Sequence, residues 1–309
     1  LAGASRWEEL RYSLRSLEKH FKEDFLVYLV GDCPDWLKVS CRMPVGNDFT
    51  ISEFENLPIE PHEKKINSVA HLPYTHDAKL TALGNTNRML ELFLSESCEL
   101  PAGEEDNLPI CQFDNLPIEA QIQDSPPDGR AGRFKIQDSR RDLFVRMWDD
   151  VYFIGDRTLD DLMVTRIIRP ANEVKTMVSG SDVWRRQVLS TAYELQELGY
   201  PGYMTESHCP EVFSILNMRL IYEMFELPGQ NLLTSTLYYN IFPYERELID
   251  KKTERALFYG AENEFGFSSV QVAQKCSGKY FLNHNDVGLN EEVIAFLMQE
   301  FPDKSRFEN

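Results

Sequence analysis

The stretch Phe144-Val-Arg-Met-Trp-Asp-Asp-Val-Tyr-Phe-Ile154 reads as a buried strand interrupted by two acids, Asp149 and Asp150. An unpaired carboxylate in such a strand costs several kcal/mol, so the pair needs a compensating cation. Two adjacent acids at a strand end can hold a hard divalent metal, and that metal can in turn hold a diphosphate. Acid pairs are also common on the solvated loops of an acidic chain, and Asp160-Asp161 reads as one of those. The β-branched and aromatic residues on both sides of Asp149-Asp150 set it apart from the second pair.

A chain of 309 residues can bury a sizeable core, as one large α/β domain or two smaller ones. Its 50 acidic and 32 basic residues leave a net charge of −18. That argues against a general affinity for nucleic acid or anionic membranes, though not against a local basic pocket. Apolar runs such as residues 25–30 are too short to span a bilayer. The cysteines, Cys33, Cys41, Cys98, Cys111, Cys209 and Cys276, form no C-x-x-C pair. Free thiols and a cytoplasmic location are the expectation. The P-loop, G-x-G-x-x-G and G-x-S-x-G patterns are all missing.

Residues 8–21 have the spacing of an amphipathic helix, with Leu10, Leu14, Leu17 and Phe21 on one face and Ser5 as N-cap. Residues 25–30 follow as a buried strand. Helix then strand suggests the opening of a doubly wound, mostly parallel sheet. A second helix is expected over residues 77–94. Residues 95–141 are acidic, rich in Pro and Gly, and carry short irregular repeats such as Asp106-Asn-Leu-Pro-Ile110 and Asp114-Asn-Leu-Pro-Ile118. They read as an inserted surface loop. The C-terminal half reads as helical over residues 182–198, 214–227, 230–241 and 290–301, with a strand at 279–282. The chain thus divides into residues 1–94, the insertion 95–141, and the remainder 142–309.

Four separated segments together resemble the Stealth family of sugar-phosphate transferases, which includes bacterial capsule enzymes and the lysosomal-enzyme N-acetylglucosamine-1-phosphotransferase. They are Glu9-Leu-Arg-Tyr-Ser-Leu-Arg-Ser-Leu-Glu-Lys19 running on to Pro34-Asp-Trp-Leu37; Trp148-Asp-Asp-Val-Tyr-Phe153; Glu206-Ser-His-Cys-Pro210; and Asn285-Asp286 with Phe301-Pro-Asp-Lys-Ser-Arg-Phe-Glu308. The resemblance spans most of the chain and leaves out residues 95–141. Two features depart from it: the family's usual Tyr-Thr-Trp-Val start is absent, and Trp148 stands where an Asn usually precedes the Asp pair.

The resemblance implies a GT-A-like fold and a metal-dependent transfer of a sugar-1-phosphate from a nucleotide-sugar to a hydroxyl of a glycan or polysaccharide. It implies His208 as the general base, since a neutral imidazole can accept a proton from an attacking hydroxyl. Taken alone, His208 reads as a structural histidine. Asp149, Asp150 and Asp286 would hold Mg²⁺ or Mn²⁺. Asn285 and Asp286 would contact the donor, although Asn-Asp also suits a simple Asx-turn. Arg15 matches the Leu-Arg-Ser motif and is the phosphate-stabilising candidate, whereas Arg11 reads as a solvated face. Arg6, just before the expected helix start, is placed for an anion. Asp77 is a further donor contact, and Trp184-Arg185-Arg186 could line an acceptor cleft. His20, His62, His71, His76 and His284 read as surface or loop residues.

Two other functions are compatible with the same residues. A glycosyltransferase of the same general fold would release a nucleoside diphosphate instead of a monophosphate. A non-catalytic glycan-binding or assembly protein is favoured by Trp148 and the missing start.

Overall fold

A computed structural model describes residues 2–25, 27–30, 33–42, 69–72, 143–148, 150–167, 169–170, 182–227, 232–244, 249–259, 266–285 and 287–309. The expected helix at 77–94 and the insertion at 95–141 lie outside these residues. In chain order the elements begin with α1 (Ala2–His20), β1 (Val27–Val30), β2 (Val39–Arg42), β3 (Val69–Leu72), β4 (Leu143–Arg146) and β5 (Val151–Phe153). Then come α2 (Leu159–Leu162), β6 (Arg166–Ile167), β7 (Arg169–Pro170), α3 (Asp182–Glu197), β8 (Tyr203–Met204), β9 (Glu211–Ser214) and α4 (Ile215–Met224). The last are α5 (Thr234–Ile241), β10 (Ile249–Asp250), α6 (Lys251–Glu254), β11 (Arg255–Phe258), α7 (Ser269–Cys276), β12 (Phe281–His284) and α8 (Glu291–Glu300). Among the described residues no helix is long and apolar enough to cross a membrane.

The architecture is mixed α/β, with the described strands in small sheets of two or three. β1, β3 and β2 form a parallel sheet with β3 in the middle. β11 and β12 are parallel, and β5 joins β12 antiparallel. β4 pairs antiparallel with β9. The apolar run around the acid pair is therefore two strands in two different sheets, with Asp150 in the turn between them. The C-terminal helices fall close to where periodicity puts them, and β12 overlaps the strand expected at 279–282, but this half also carries β8 to β11, α6 and α7. Strands of two to four residues are too short to show a period.

The sheet of β11, β12 and β5 sits between two apolar clusters. Phe153 and Phe281 point into one, with Phe213, Tyr238 and Ile221. Tyr152, Leu282 and Phe258 point into the other, with Val293 and Leu297 from α8. The period-two alternation of side chains produces this division, and it leaves Val151, Tyr152 and Phe153 without exposed surface. Burying each such aromatic contributes roughly 1.5–3 kcal/mol.

Helix α1 docks on β5 through small polar residues. Ser13 Oγ donates to the Val151 carbonyl at 2.8 Å, and the Phe153 N–H donates to Ser16 Oγ at 3.0 Å. Phe21 is buried against Phe153 of β5, and Leu14 is buried in a separate cluster. The helix starts at Ala2, so Ser5 lies within it rather than capping it, and Arg6 is not at its N-terminus. Asp160-Asp161, expected on a solvated loop, opens α2: Asp161 closes a capping box with Thr158. His284, expected at the surface, is buried in β12, where its Nε2 lies 2.8 Å from the Tyr152 hydroxyl.

The C-terminal segment is tied back onto α1. Arg15 grips Glu308 with two arms, at 2.7 and 2.8 Å, and donates to the Phe301 carbonyl at 3.0 Å. Phe307 packs with Leu14 and Leu37. Burial raises the Glu308 carboxyl, but its hydrogen bonds with Arg15 and the Ser305 N–H and its attraction to Arg15 outweigh that and hold it below the usual value. Because the folded value is depressed, the pair's stabilisation is present above about pH 4.3 and is lost as pH falls towards the folded value. Arg15→Ala should lower stability by on the order of 3 kcal/mol near neutral pH, and by less in acid. Chemical denaturation of wild type and variant at two pH values checks this; an equal difference at both would assign the loss to packing alone.

Candidate functional site

The register of the β11-β12-β5 sheet gathers the sequence-distant candidates at one edge. Val151 lies opposite Asn283, and Phe258 opposite His284. The turn carrying Asp150 therefore meets the chain where it leaves β12 for Asn285. The sequence suggests convergence at the ends of parallel strands; here it arises because β5 runs antiparallel, so its start meets its neighbour's end. Asp150 accepts a hydrogen bond on Oδ2 from Asn283 Nδ2 at 2.8 Å. Asn283 is fully buried. Its Oδ1 faces Arg255 Nη1 at 3.3 Å, and the same Nη1 donates to the Ser207 carbonyl at 2.6 Å. A buried cation and a buried amide thus link the Asp150 turn to the residue before His208.

His208 lies between β8 and β9, not between helices as its surroundings suggest. Its backbone is left-handed, with φ of 49°. For a residue with a side chain that conformation is uncommon and costs of order 1–3 kcal/mol unless its surroundings enforce it. They do so through Ser207. Glu211 Oε1 accepts from the Ser207 N–H and hydroxyl at 3.3 and 3.1 Å, and the Cys209 N–H donates to Ser207 Oγ at 3.2 Å. The imidazole stacks on Trp148, with ring centroids 5.0 Å apart and planes 22° from parallel. Trp148 stands two residues before Asp150, so the stack sets the chain leading to Asp150 beside the Glu-Ser-His segment. The Arg146 guanidinium also lies over the Trp148 ring, 4.7 Å from its centroid.

Under this stack is a buried charge cluster. Arg146 Nη2 lies 2.5 Å from Glu211 Oε2 and 3.7 Å from Glu206, and it also bonds Ser235. Ser235 donates to Glu211 at 2.7 Å. Burial pushes the Glu206 carboxyl up to about 7; Arg146 opposes the rise and Glu211 adds to it. Sequence singles out none of Arg146, Glu206, Glu211, Arg255 and Asn283 as a functional residue, although Glu206 opens the Glu-Ser-His-Cys-Pro segment. A signal existed for two of them: Arg146 and Glu211 are single charges inside apolar strands, which need partners for the same reason as the Asp pair.

The other candidates are distributed as follows. Asp149, Asp286 and Asp77 lie outside the described residues, as do the side chains of Arg6, Trp184 and Arg185. Asn285 caps a turn, its Oδ1 accepting from the Gly288 N–H at 2.7 Å. A Cβ at Gly288 would lie 1.8 Å from the Phe258 carbonyl oxygen, so this turn admits only glycine. Arg15 is turned to Glu308, and both arms of its fork are engaged there. Among the described residues no three or more His, Cys, Asp or Glu side chains gather as a metal site. Of the three proposed ligands only Asp150 is among them. Carboxylate oxygens are the donors that Mg²⁺ and Mn²⁺ prefer, so the chemistry of the set fits such an ion.

The raised Glu206 value has a consequence for stability. A folded value above the unfolded one means the contribution is full below about pH 4.5 and is lost as pH rises through about 7. Glu206→Gln should remove that dependence, so its melting temperature should gain on the wild type as pH rises across this window. Melting curves at intervals across it provide the check; parallel curves would show that Glu206 does not titrate there.

No protein-family model matches this chain, and no curated protein matches it.

Proposed function

We propose that this protein transfers a sugar-1-phosphate from a nucleotide-sugar to a glycan hydroxyl, as a relative of the Stealth family with a GT-A-like, doubly wound core. The observation that carries the proposal is the meeting of the Trp148-Asp149-Asp150 and Glu206-Ser207-His208 segments through the Trp148–His208 stack. The parallel strands β1, β3 and β2, and β11 with β12, support the fold assignment. The turn at Asp150 and the end of β12 share one sheet edge, the kind of place where α/β proteins hold nucleotides.

In this mechanism Asp149, Asp150 and Asp286 would hold Mg²⁺ or Mn²⁺, which when bound offsets the charge of the donor diphosphate. His208 accepts the proton of the acceptor hydroxyl as its oxygen attacks the sugar-bearing phosphorus, and a nucleoside monophosphate leaves. The rigid setting of Ser207 fixes where the imidazole stands, and a base can act only within hydrogen-bond reach of its proton. Asn283 holds the Asp150 carboxylate in orientation.

A second function has one observation in its favour. Trp148, which replaces the usual Asn, lies against the His208 ring, as would suit a non-catalytic glycan-binding protein. Metal-dependent binding of a nucleotide-sugar would count against that.

Incubating the protein with nucleotide-sugars, a glycan acceptor and Mg²⁺ or Mn²⁺ should release nucleoside monophosphate. Release of diphosphate would assign a glycosyltransferase instead. His208→Ala should lower turnover by ~10²–10⁴-fold with little change in donor affinity. Asp150→Asn should weaken metal-dependent donor binding as well as turnover. A stable His208→Ala variant with unchanged turnover would remove His208 from the mechanism.

A further inference from the structure

Arg255 is only 6 % exposed. Its hydrogen bonds reach neutral oxygens, the Ser207 carbonyl and Asn283 Oδ1. Among the described residues it has no carboxylate within ion-pair distance. The other two buried arginines do: Arg146 meets Glu211 at 2.5 Å, and Arg166 meets Glu254 at 2.7 Å. Neutral oxygens solvate a guanidinium without cancelling its charge, and a buried charge without a counter-ion is costly. This chain carries 18 more acidic than basic residues, so carboxylates are plentiful. That none of the described carboxylates pairs with it sets Arg255 apart from Arg146 and Arg166.

Its location bears on which anion it could take. Arg255 lies between the residue before His208 and the amide that holds Asp150, so cation and carboxylate are separated by the Asn283 side chain. Tyr259, just past β11, feels both charges: burial raises its hydroxyl first, Arg255 lowers it and Asp150 raises it. A metal-bound diphosphate needs this pairing, with carboxylates for the metal and a guanidinium for the phosphate oxygens. Arg15, the arginine that motif matching selects for that part, is instead closed onto Glu308.

We propose that Arg255 is the phosphate-binding arginine of the site and takes the diphosphate of a nucleotide-sugar donor beside Asp150. The assignment rests on the donor proposed above. Arg255 acts by charge and hydrogen bonding, and its hold strengthens as negative charge gathers on the departing phosphate.

The test is titration calorimetry with pyrophosphate in the presence of Mg²⁺, on the full chain and four variants. Arg255→Gln should weaken binding by about tenfold or more, Arg255→Lys by less, and Arg15→Gln not at all. Asp150→Asn should weaken it in a metal-dependent way. Wild-type affinity in a folded Arg255→Gln variant, with Asp150→Asn still impaired, would overturn the assignment of Arg255 and leave the donor proposal standing. A wild-type protein that binds no pyrophosphate would overturn both. Should Arg255→Gln fail to fold, NMR of the wild type supplies the answer. Pyrophosphate should shift the Arg255 Nε–Hε resonance, assigned through Arg255→Lys, and an unmoved resonance would overturn the proposal.

Discussion

Burial of β5 and β12 on both faces is the constraint on which the candidate site depends. Tyr152 and Phe153 face opposite apolar clusters, so a slip of one residue would exchange them between the two. Register is therefore strongly specified, and with it the position of the turn that carries Asp150. The serines of α1 reinforce this by bonding the backbone of the same strand. A polar turn at the mouth of such a sheet can hold charged groups because it lies where the apolar environment ends.

The second organising principle is the handling of buried charge. Arg146 with Glu211 and Glu206, and Arg166 and Arg157 with Glu254, are ion-pair groups that join separate elements. Removing one partner of such a pair leaves an uncompensated charge, which makes these residues intolerant of single substitution. Arg255 is instead hydrogen-bonded to neutral oxygens, one of them the carbonyl of the residue before His208. The left-handed conformation at His208 fits this picture, since strain of that kind persists where surrounding bonds over-determine the geometry.

Much of this was visible in residue patterns. The amphipathic face of α1 and the late helices follow from periodicity. Motif resemblance picked out His208 and Asp150 from segments that turn out to be neighbours in space. It also picked out Arg15, whose chemistry suits phosphate and Glu308 equally well; sequence could not tell which anion it would meet. The strands flanking His208 escaped notice because two to four residues carry no measurable period.

What the sequence determined by itself was therefore local: where helices run, which faces are apolar, and which polar residues are out of place. Only the tertiary structure decided which charges are neutralised and by whom, because ion pairing depends on distances between elements far apart in the chain. It turned Arg15 towards the C-terminal segment and brought Arg255 and Asn283 between Ser207 and Asp150. It also set Trp148 against His208. The meeting of Asp150 with Asn283, and of Trp148 with His208, follows from antiparallel pairing of β5 with β12 and of β4 with β9, a long-range choice made by packing two apolar cores at once.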